Sequence, residues 1–336
     1  MPSQRPPVPG VPDSQPFDPV PESPLAFAVP VYEAPVRPPR FQHRYWVHAL
    51  WLFATIVTTT LAGGAHYHAF VSGFAGPAAP VTLSLLWNGC WYSGTLLVIL
   101  GAHEMGHYVM CRWHRVDATL PYFLPAPLPL TGTIGAFIKI RESFPGKAAL
   151  FDIGVGGPIA GFVALVPALF LGLALSTVER LPESFDGLAL GEPLLFQWAS
   201  WLVWGTVPDG YSVNLHPMGF AAWFGLIATA LNLLPFSQLD GGHIAYAALG
   251  RRATLVSLVT ILVAVALTAF SSSSWLVVTL MMLLMLFTIG ARHPRVPDEH
   301  VPLDATRQWL AFVSAVIFIL CFTPAPIEPF RLISNP

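Results

Sequence analysis

The sequence carries little charge and little cysteine. Charged residues make up 10% of its 336 residues and hydrophobic residues 54%, whereas soluble domains carry about 25% charged residues. This scarcity excludes an ordinary soluble domain and predicts a polytopic membrane protein. The net charge of -2, without a basic cluster, gives no indication of nucleic-acid binding. Cys90, Cys111 and Cys321 form no CxxC pair, which argues against a disulfide framework.

The amino-terminal segment lacks the pattern of a cleavable signal peptide. Residues 1–43 are rich in proline and polar residues, a composition that predicts a disordered cytoplasmic tail. A plastid or mitochondrial transit peptide should be rich in arginine and serine and poor in acids. The acidic residues Asp13, Asp18, Glu22 and Glu33 therefore argue against one.

Long apolar segments recur along the rest of the chain, and a membrane span needs about 20 apolar residues. The candidates are 46–64, 93–113, 149–176, 217–236, 253–271, 274–291 and 307–323. The second could begin as early as Thr82. We therefore expect an all-α polytopic membrane protein with six to seven transmembrane helices, seven being preferred, and a small membrane-associated β-hairpin near the cytoplasmic face.

The distribution of lysine and arginine predicts the orientation. With the amino terminus in the cytoplasm and seven spans, only Arg180 and Arg331 fall on the outer side. We expect a multi-pass protein of the cell (plasma) membrane with a cytoplasmic amino terminus, although the residues leave an organelle membrane open. The hairpin is expected in 114–148, which is rich in proline and then alternates apolar side chains from Ile134 to Ile140.

The apolar segment 93–113 contains the sequence HEMGH. On an α-helix, His103 and His107 lie on one face and can hold one zinc ion, with Glu104 as the general base for a water molecule that the metal activates. Ionisable side chains inside a span are costly and mark function. No lysine or arginine close by would neutralise Glu104, so a purely structural role for these three residues is hard to justify.

A catalytic zinc site usually has three protein ligands, so a third is needed. We favour Asp240, in the sequence NLLPFSQLDGGHI, because Pro235 and the following glycine pair should break the helix there. A helix-capping role for Asp240 remains an alternative, and His243 could be a rival ligand or a partner of the ligands. Six further histidines are expected in loops or at span ends and are weaker candidates for the site: His66, His68, His114, His216, His293 and His300.

The chain resembles the site-2 protease family of intramembrane zinc metalloproteases. The motifs that carry the resemblance are HEMGH, TGTIGAFIKIR, LFDIGVGGPIAGF and NLLPFSQLDGG, which follow in the order of the family. They divide the chain into a first helix and outer loop (44–92), a catalytic membrane core (93–250) and additional transmembrane helices with the carboxyl terminus (251–336). The small residues of the third motif are expected to let helix backbones approach closely.

The resemblance implies one Zn²⁺ per chain, with His103, His107 and Asp240 as ligands and Glu104 as the base. Asn232 would help to position the substrate backbone, and the hairpin at 132–140 would offer a strand edge to an unwound substrate. The implied partners are a transmembrane protein substrate, the lipid bilayer and an upstream site-1-type protease, with no nucleic acid. The implied function is regulated intramembrane proteolysis, the hydrolysis of a peptide bond within or near a transmembrane segment.

The outer loop at 177–216 has only about 40 residues, too few for the PDZ domain of many bacterial members. Three other functions are alternatives. A membrane-anchored zinc peptidase with a cytosol-facing site would need a glutamate as third ligand, and Glu142 is the nearby candidate. A zinc transporter should show polar residues on several helices, which the other spans lack. An inactive relative acting as a scaffold fits poorly with an intact motif.

Overall fold

The computed structural model of the chain describes residues 44–74, 82–182 and 184–332. The predicted tail at 1–43 lies outside the described residues. The helices are α1 (Tyr45–Ser72), α2 (Leu83–Trp113), α3 (Lys147–Ala174), α4 (Leu194–Trp204), α5 (Pro217–Asn232), α6 (Asp240–Leu249), α7 (Ala253–Phe270), α8 (Trp275–Thr288) and α9 (Ala305–Cys321). A 3₁₀ turn at Gly250–Arg252 joins α6 to α7.

The protein is mostly helical, with four candidate membrane spans in the described residues. These are α1, α2, α3 and the stretch Asp240–Phe270 formed by α6 and α7. The remaining helices are apolar but shorter, at 10–17 residues, so the expected six to seven spans are not confirmed. Helix-breaking residues explain why two of these helices are short. Helix α5 ends before Pro235, which has no backbone N–H, and α8 ends before Gly290, whose φ is +90°.

Antiparallel strand pairs accompany the helices. They are β1 (Tyr122–Pro125) with β2 (Thr133–Phe137), β3 (Thr177–Arg180) with β5 (Tyr211–Asn214), and β4 (Phe185–Leu190) with β6 (Ile327–Leu332). The first pair confirms the predicted hairpin. The other two pairs and α4 were not predicted, because the segment 177–216 was read only as a loop.

The β1–β2 hairpin is held against α1 and α2. The carbonyl oxygen of Leu130 lies 2.8 Å from Nε2 of His66, and the hydroxyl of Tyr92 donates to Thr131 O at 3.1 Å. His66 belongs to α1, so the prediction that it lies in a loop was wrong: the helix continues past the apolar run through its polar end to Ser72. Gly132 has a φ of +68° and packs against the backbone of Thr58, where a side chain would collide.

Helix α3 runs through the middle of the bundle and packs against α2, α5 and α6. Its buried Leu165 and Leu169 share one apolar core with Leu96 of α2 and with Trp223 and Leu226 of α5. Glycines bring α2 and α3 into backbone contact, since a Cβ on Gly106 would overlap the carbonyl of Gly156. This close approach is the role expected for small residues between membrane helices.

Candidate metal centre and active site

His103 and His107 lie one turn apart on α2, which is continuously helical through the motif. Both imidazoles are buried, and their Nε2 atoms are 3.0 Å apart. Nδ1 of His107 donates to the carbonyl oxygen of Ile153 on α3 at 2.6 Å. That hydrogen bond places the proton on Nδ1 and leaves the lone pair of Nε2 free for a metal ion.

Asp240 reaches the histidines through a break between two helices. Helix α5 ends at Asn232, and the chain then turns through Ser237, which has a φ of +46°, before α6 begins at Asp240. The turn is tight because Gly241 and Gly242 lie against backbone carbonyls, where a Cβ would overlap them. The predicted helix break is therefore confirmed.

Protein atoms satisfy the polar groups of Ser237 in that turn, as expected for a helix break at membrane depth. The backbone N–H of Ser237 donates to Ser257 Oγ at 3.2 Å, and its hydroxyl donates to the carbonyl of Gly290 at 2.9 Å. Asp240 then stands at the first residue of α6 with its Oδ2 atom 3.2 Å from His103 Nε2 and 3.3 Å from His107 Nε2. Its carboxylate is thus directed at the two imidazoles.

The donor set fits a zinc ion. One ligand atom from each of His103, His107 and Asp240 lies within 4.8 Å of the others, and no other such group of three occurs in the described ranges. Tetrahedral zinc with bonds of about 2.1 Å separates its ligand atoms by about 3.4 Å, close to the 3.0–3.3 Å found here. Two imidazoles and one carboxylate also leave the fourth position for water or substrate, as in catalytic zinc sites.

Glu104 lies beside this set and is only 7% exposed. The backbone of Ile138, directly after β2, lies near its carboxylate. Glu104 and the three donor residues line one cavity of about 290 Å³, together with Asn232 and other residues. A base, a metal site and a space for substrate are therefore contiguous.

Asn232 closes one side of the cavity from the last residue of α5. Its Nδ2 atom lies 3.4 Å from Nε2 of His103, so the amide stands beside the donor set. On another side, Ala136 and Phe137 of β2 line the cavity. Strand β2 pairs with β1 along one edge, and its other edge has no strand partner in the described part of the chain.

The glycines of α3 make room for the ligands. Gly157 lies directly against the imidazole of His107, where a Cβ would overlap Nε2. A Cβ on Gly161 would stand 3.1 Å from the Cβ of His103, tighter than an ordinary contact. The small residues therefore do more than bring backbones together, which was the only role predicted for them, because they also define the space that the ligand side chains occupy.

Sequence reasoning missed an ionic cluster at the end of α2. Asp152 on α3 accepts from Arg307 of α9 in a bidentate pair, at 2.8 Å to Nε and 2.6 Å to Nη2, and its Oδ2 lies 2.8 Å from His114 Nε2. The available signal was an acidic residue inside an apolar span, which is rare without a partner. His114 lies at the end of α2, as predicted, but its contact with Asp152 was not predicted.

The two alternative ligand candidates lie elsewhere. Glu142 accepts from the backbone N–H of Asp117 at 3.3 Å and does not join the donor set. His243 lines the cavity, but its Nδ1 is 2.7 Å from Nε2 of His293. His243 is therefore placed as a neighbour of the donor set, and His293, one of the weaker candidates, is its partner.

The sequence model of peptidase family M50 matches residues 91–271, more than half of the chain, including the HExxH helix and Asp240. The chain belongs to peptidase family M50. This confirms the resemblance to site-2 proteases. No solved structure matches the chain significantly.

Several curated proteins are similar to the chain. "Probable zinc metalloprotease EGY2, chloroplastic" from Oryza sativa subsp. indica is 30% identical over 171 residues, which is 51% of this chain and 31% of that protein. EGY1 from Arabidopsis thaliana is 34% identical over 47% of this chain and 29% of its own length. EGY3 from Oryza sativa subsp. indica is 30% identical over 68% of this chain and 41% of its own. The chain spans about a third of the length of the first two relatives.

The names of these relatives bear on three predictions. All three are called zinc metalloproteases, which supports Zn²⁺ as the cofactor and a metalloprotease as the class of enzyme. One zinc ion per chain stays a prediction. The predicted plasma-membrane location is contradicted, because all three relatives are called chloroplastic and so point to a chloroplast membrane. That prediction rested on charge distribution and tail composition, which do not distinguish one membrane from another.

Proposed function

We propose that this M50 chain is an intramembrane zinc metalloprotease that hydrolyses a peptide bond within or near the transmembrane segment of another membrane protein. The observation that carries the proposal is the convergence of His103, His107 and Asp240 beside the buried Glu104, on helices α2 and α6 that belong to candidate spans. The catalytic core is then 93–250, and the helices after it support the core.

The position of the motif on α2 supports a site below the membrane surface. The helix has 31 residues, so it is about 46 Å long at 1.5 Å per residue and exceeds the hydrocarbon thickness of about 30 Å. His103 lies ten residues before its end, about 15 Å along the axis. The outward face at this level is apolar and exposed at Val98 and Val109, as expected for contact with lipid.

The residues around the cavity can be given separate tasks in peptide hydrolysis. When bound, zinc would polarise the scissile carbonyl and make water acidic enough to react near neutral pH. Glu104 accepts the proton of the attacking water and passes it to the leaving amine. The Nδ2 atom of Asn232 lies 3.4 Å from Nε2 of His103. This amide can donate to a substrate carbonyl oxygen and so position the scissile peptide bond beside Glu104.

Strand β2 supplies the means of holding an extended substrate. A helical substrate hides its carbonyls, so the bond to be cut must first leave the helix. The edge of β2 without a strand partner, beside a cavity that Ala136 and Phe137 line, can pair with an unwound segment by β-addition. We propose regulated proteolysis of a transmembrane substrate on this basis, after an upstream protease has shortened its outer part.

The test is cleavage of a model transmembrane substrate by the purified chain in liposomes, with the cut position read by mass spectrometry. We expect a cut within or next to the span, and no cut by Glu104→Gln. Glu142→Gln is the matched control, because that carboxylate lies outside the donor set, and it should cleave normally. Loss of cleavage in Glu142→Gln with normal cleavage by Asp240→Ala would favour the rival zinc peptidase instead.

A further inference from the structure

A second cavity, of about 310 Å³, lies apart from the metal centre. It shares no lining residue with the catalytic cavity and is bounded by the 3₁₀ turn after α6 and by the segment after α8. Nothing in the proposed peptidase mechanism uses it. Its lining is unusual for this chain, because it gathers cationic side chains from a sequence that is only 10% charged.

Three guanidinium groups line the cavity, those of Arg251, Arg292 and Arg295, against the single carboxylate of Glu299. Glu299 accepts from Nε of Arg251 at 3.3 Å. Within the described residues Arg292 and Arg295 have no hydrogen bond or ion pair. The cavity therefore holds a surplus of positive charge, with two guanidinium groups available to a ligand.

Tyr246 gives an independent sign that a ligand belongs there. Its side chain lines the cavity and is 95% buried. Its hydroxyl is the one buried side-chain polar atom in the described ranges without a hydrogen-bond partner, although the backbone of Val296 lies near it. Buried polar groups are rarely left unpaired, because desolvation without a partner is destabilising. A ligand that accepts a hydrogen bond from the Tyr246 hydroxyl would give this group its missing partner.

The setting of the cavity is the end of a membrane hairpin. Arg251 lies in the 3₁₀ turn that leads into α7, and Arg292 and Arg295 follow α8. The outer faces of these two helices are strongly apolar, with Leu262 68% exposed and Phe287 84% exposed. Basic pockets at the ends of membrane helices are suited to anionic headgroups.

We propose that this cavity binds a phosphate-type anion, either the headgroup of an anionic lipid or free phosphate. The planar guanidinium groups of Arg292 and Arg295 match the oxygens of a phosphate in bidentate geometry. The hydroxyl of Tyr246 donates to a third oxygen. Thr254 on α7, which also lines the cavity, offers a further hydroxyl at its wall.

The cavity is also linked to the catalytic site. His293 lines it and stacks on Tyr246, with ring centroids 4.4 Å apart. Nε2 of His293 is 2.7 Å from Nδ1 of His243, and His243 lines the catalytic cavity. A ligand at Tyr246 would therefore lie one pair of histidines away from the metal centre. Binding itself does not depend on the proposed peptidase activity.

The experiment measures lipid binding by the full chain in neutral detergent micelles, with native mass spectrometry counting the bound molecules. Phosphatidylglycerol is titrated against wild type, Tyr246→Phe and the double variant Arg292→Gln/Arg295→Gln. Phosphatidylcholine is the neutral lipid for comparison. Arg252→Gln is the matched control, because Arg252 is the neighbouring exposed arginine and does not line the cavity.

We expect saturable binding of phosphatidylglycerol in preference to phosphatidylcholine. A hydrogen bond to a charged group corresponds to about tenfold or more in affinity, so Tyr246→Phe should bind about tenfold more weakly and the double variant about a hundredfold. Arg252→Gln and Glu104→Gln should bind as wild type does. Unchanged unfolding temperatures for Tyr246→Phe would confirm that the effect is on binding.

Competition with sodium phosphate distinguishes the lipid headgroup from free phosphate as the ligand. Sodium chloride at the same ionic strength is the control. Competition by phosphate alone would assign free phosphate as a sufficient ligand, and its failure with phosphatidylglycerol still bound would assign the lipid headgroup. Binding that is equal in wild type and the double variant would overturn the proposal. So would an equal loss in Arg252→Gln, since that would show diffuse surface charge instead of a built site.

Discussion

Substituting alanine for Gly157 should disable the metal centre without touching a ligand. The added Cβ would overlap Nε2 of His107. Carbon and nitrogen atoms in good contact are about 3.5 Å apart, so the imidazole or α3 must move by about 1 Å or more. Such a movement would strain the 2.6 Å hydrogen bond between His107 Nδ1 and Ile153 O and turn Nε2 away from Asp240.

The expected loss of zinc affinity follows from displacing one of three ligands. Changes to groups that orient metal ligands lower affinity by about 10- to 100-fold, and displacing the ligand itself should reach the upper end, about 2.7 kcal/mol. Overpacking should add about 1–3 kcal/mol of lost stability. The assay is zinc affinity of the purified chain by competition with a chelator, together with thermal unfolding.

Gly94→Ala is the matched control. Gly94 lies on the same helix as the histidines, and a Cβ there meets nothing within 4 Å. Alanine should be neutral at this position or stabilise the helix by up to about 1 kcal/mol, with zinc affinity unchanged. Wild-type zinc affinity in Gly157→Ala would refute the reasoning, because it would show that His107 does not need the space that the glycine leaves.

Other perturbations test separate parts of the account. Asp152→Asn should lower stability by about 2 kcal/mol in thermal unfolding, because it breaks a mostly buried pair with Arg307. Asp304→Asn is the comparison: Asp304 is a more exposed partner of the same arginine, so this change should lower stability much less in the same assay. Gly132→Ala should reduce cleavage at least about tenfold with zinc retained. A side chain at this position strains the backbone and collides with Thr58, so the β1–β2 hairpin would be misplaced. Loss of zinc would contradict the view that the hairpin acts only in holding the substrate. Removing zinc with a chelator should lower the unfolding temperature, because the ion binds only the folded arrangement of α2 and α6, and an unchanged temperature would argue against the site.

Local pattern was enough to predict the residues of the candidate site. His103, Glu104 and His107 stand out because ionisable groups interrupt an apolar run, and Asp240 stands out because proline and glycine break the helix that precedes it. The hairpin was also predictable, because proline-rich sequence followed by alternating apolar residues is typical of strands near a turn.

Long-range pairing was not predictable from such patterns. Asp152 and Arg307 are 155 positions apart, and the fit of Gly157 to His107 depends on how α2 and α3 cross. The expected six to seven spans are not confirmed for a related reason. Apolar composition marks a segment as buried, but helix-breaking residues such as Pro235 and Gly290 decide how long its helix is. The polar end of α1 was read as a loop because the apolar pattern stops before the helix does.

The most direct test of the central claim is zinc content measured alongside cleavage of a transmembrane substrate, for wild type, Glu104→Gln and Asp240→Ala. The account predicts that Glu104→Gln keeps its zinc and loses cleavage, because Glu104 moves protons and is not a ligand. It predicts that Asp240→Ala loses or weakens zinc binding, because one of three ligands is gone. Normal cleavage by Glu104→Gln, or full zinc content in Asp240→Ala, would contradict it.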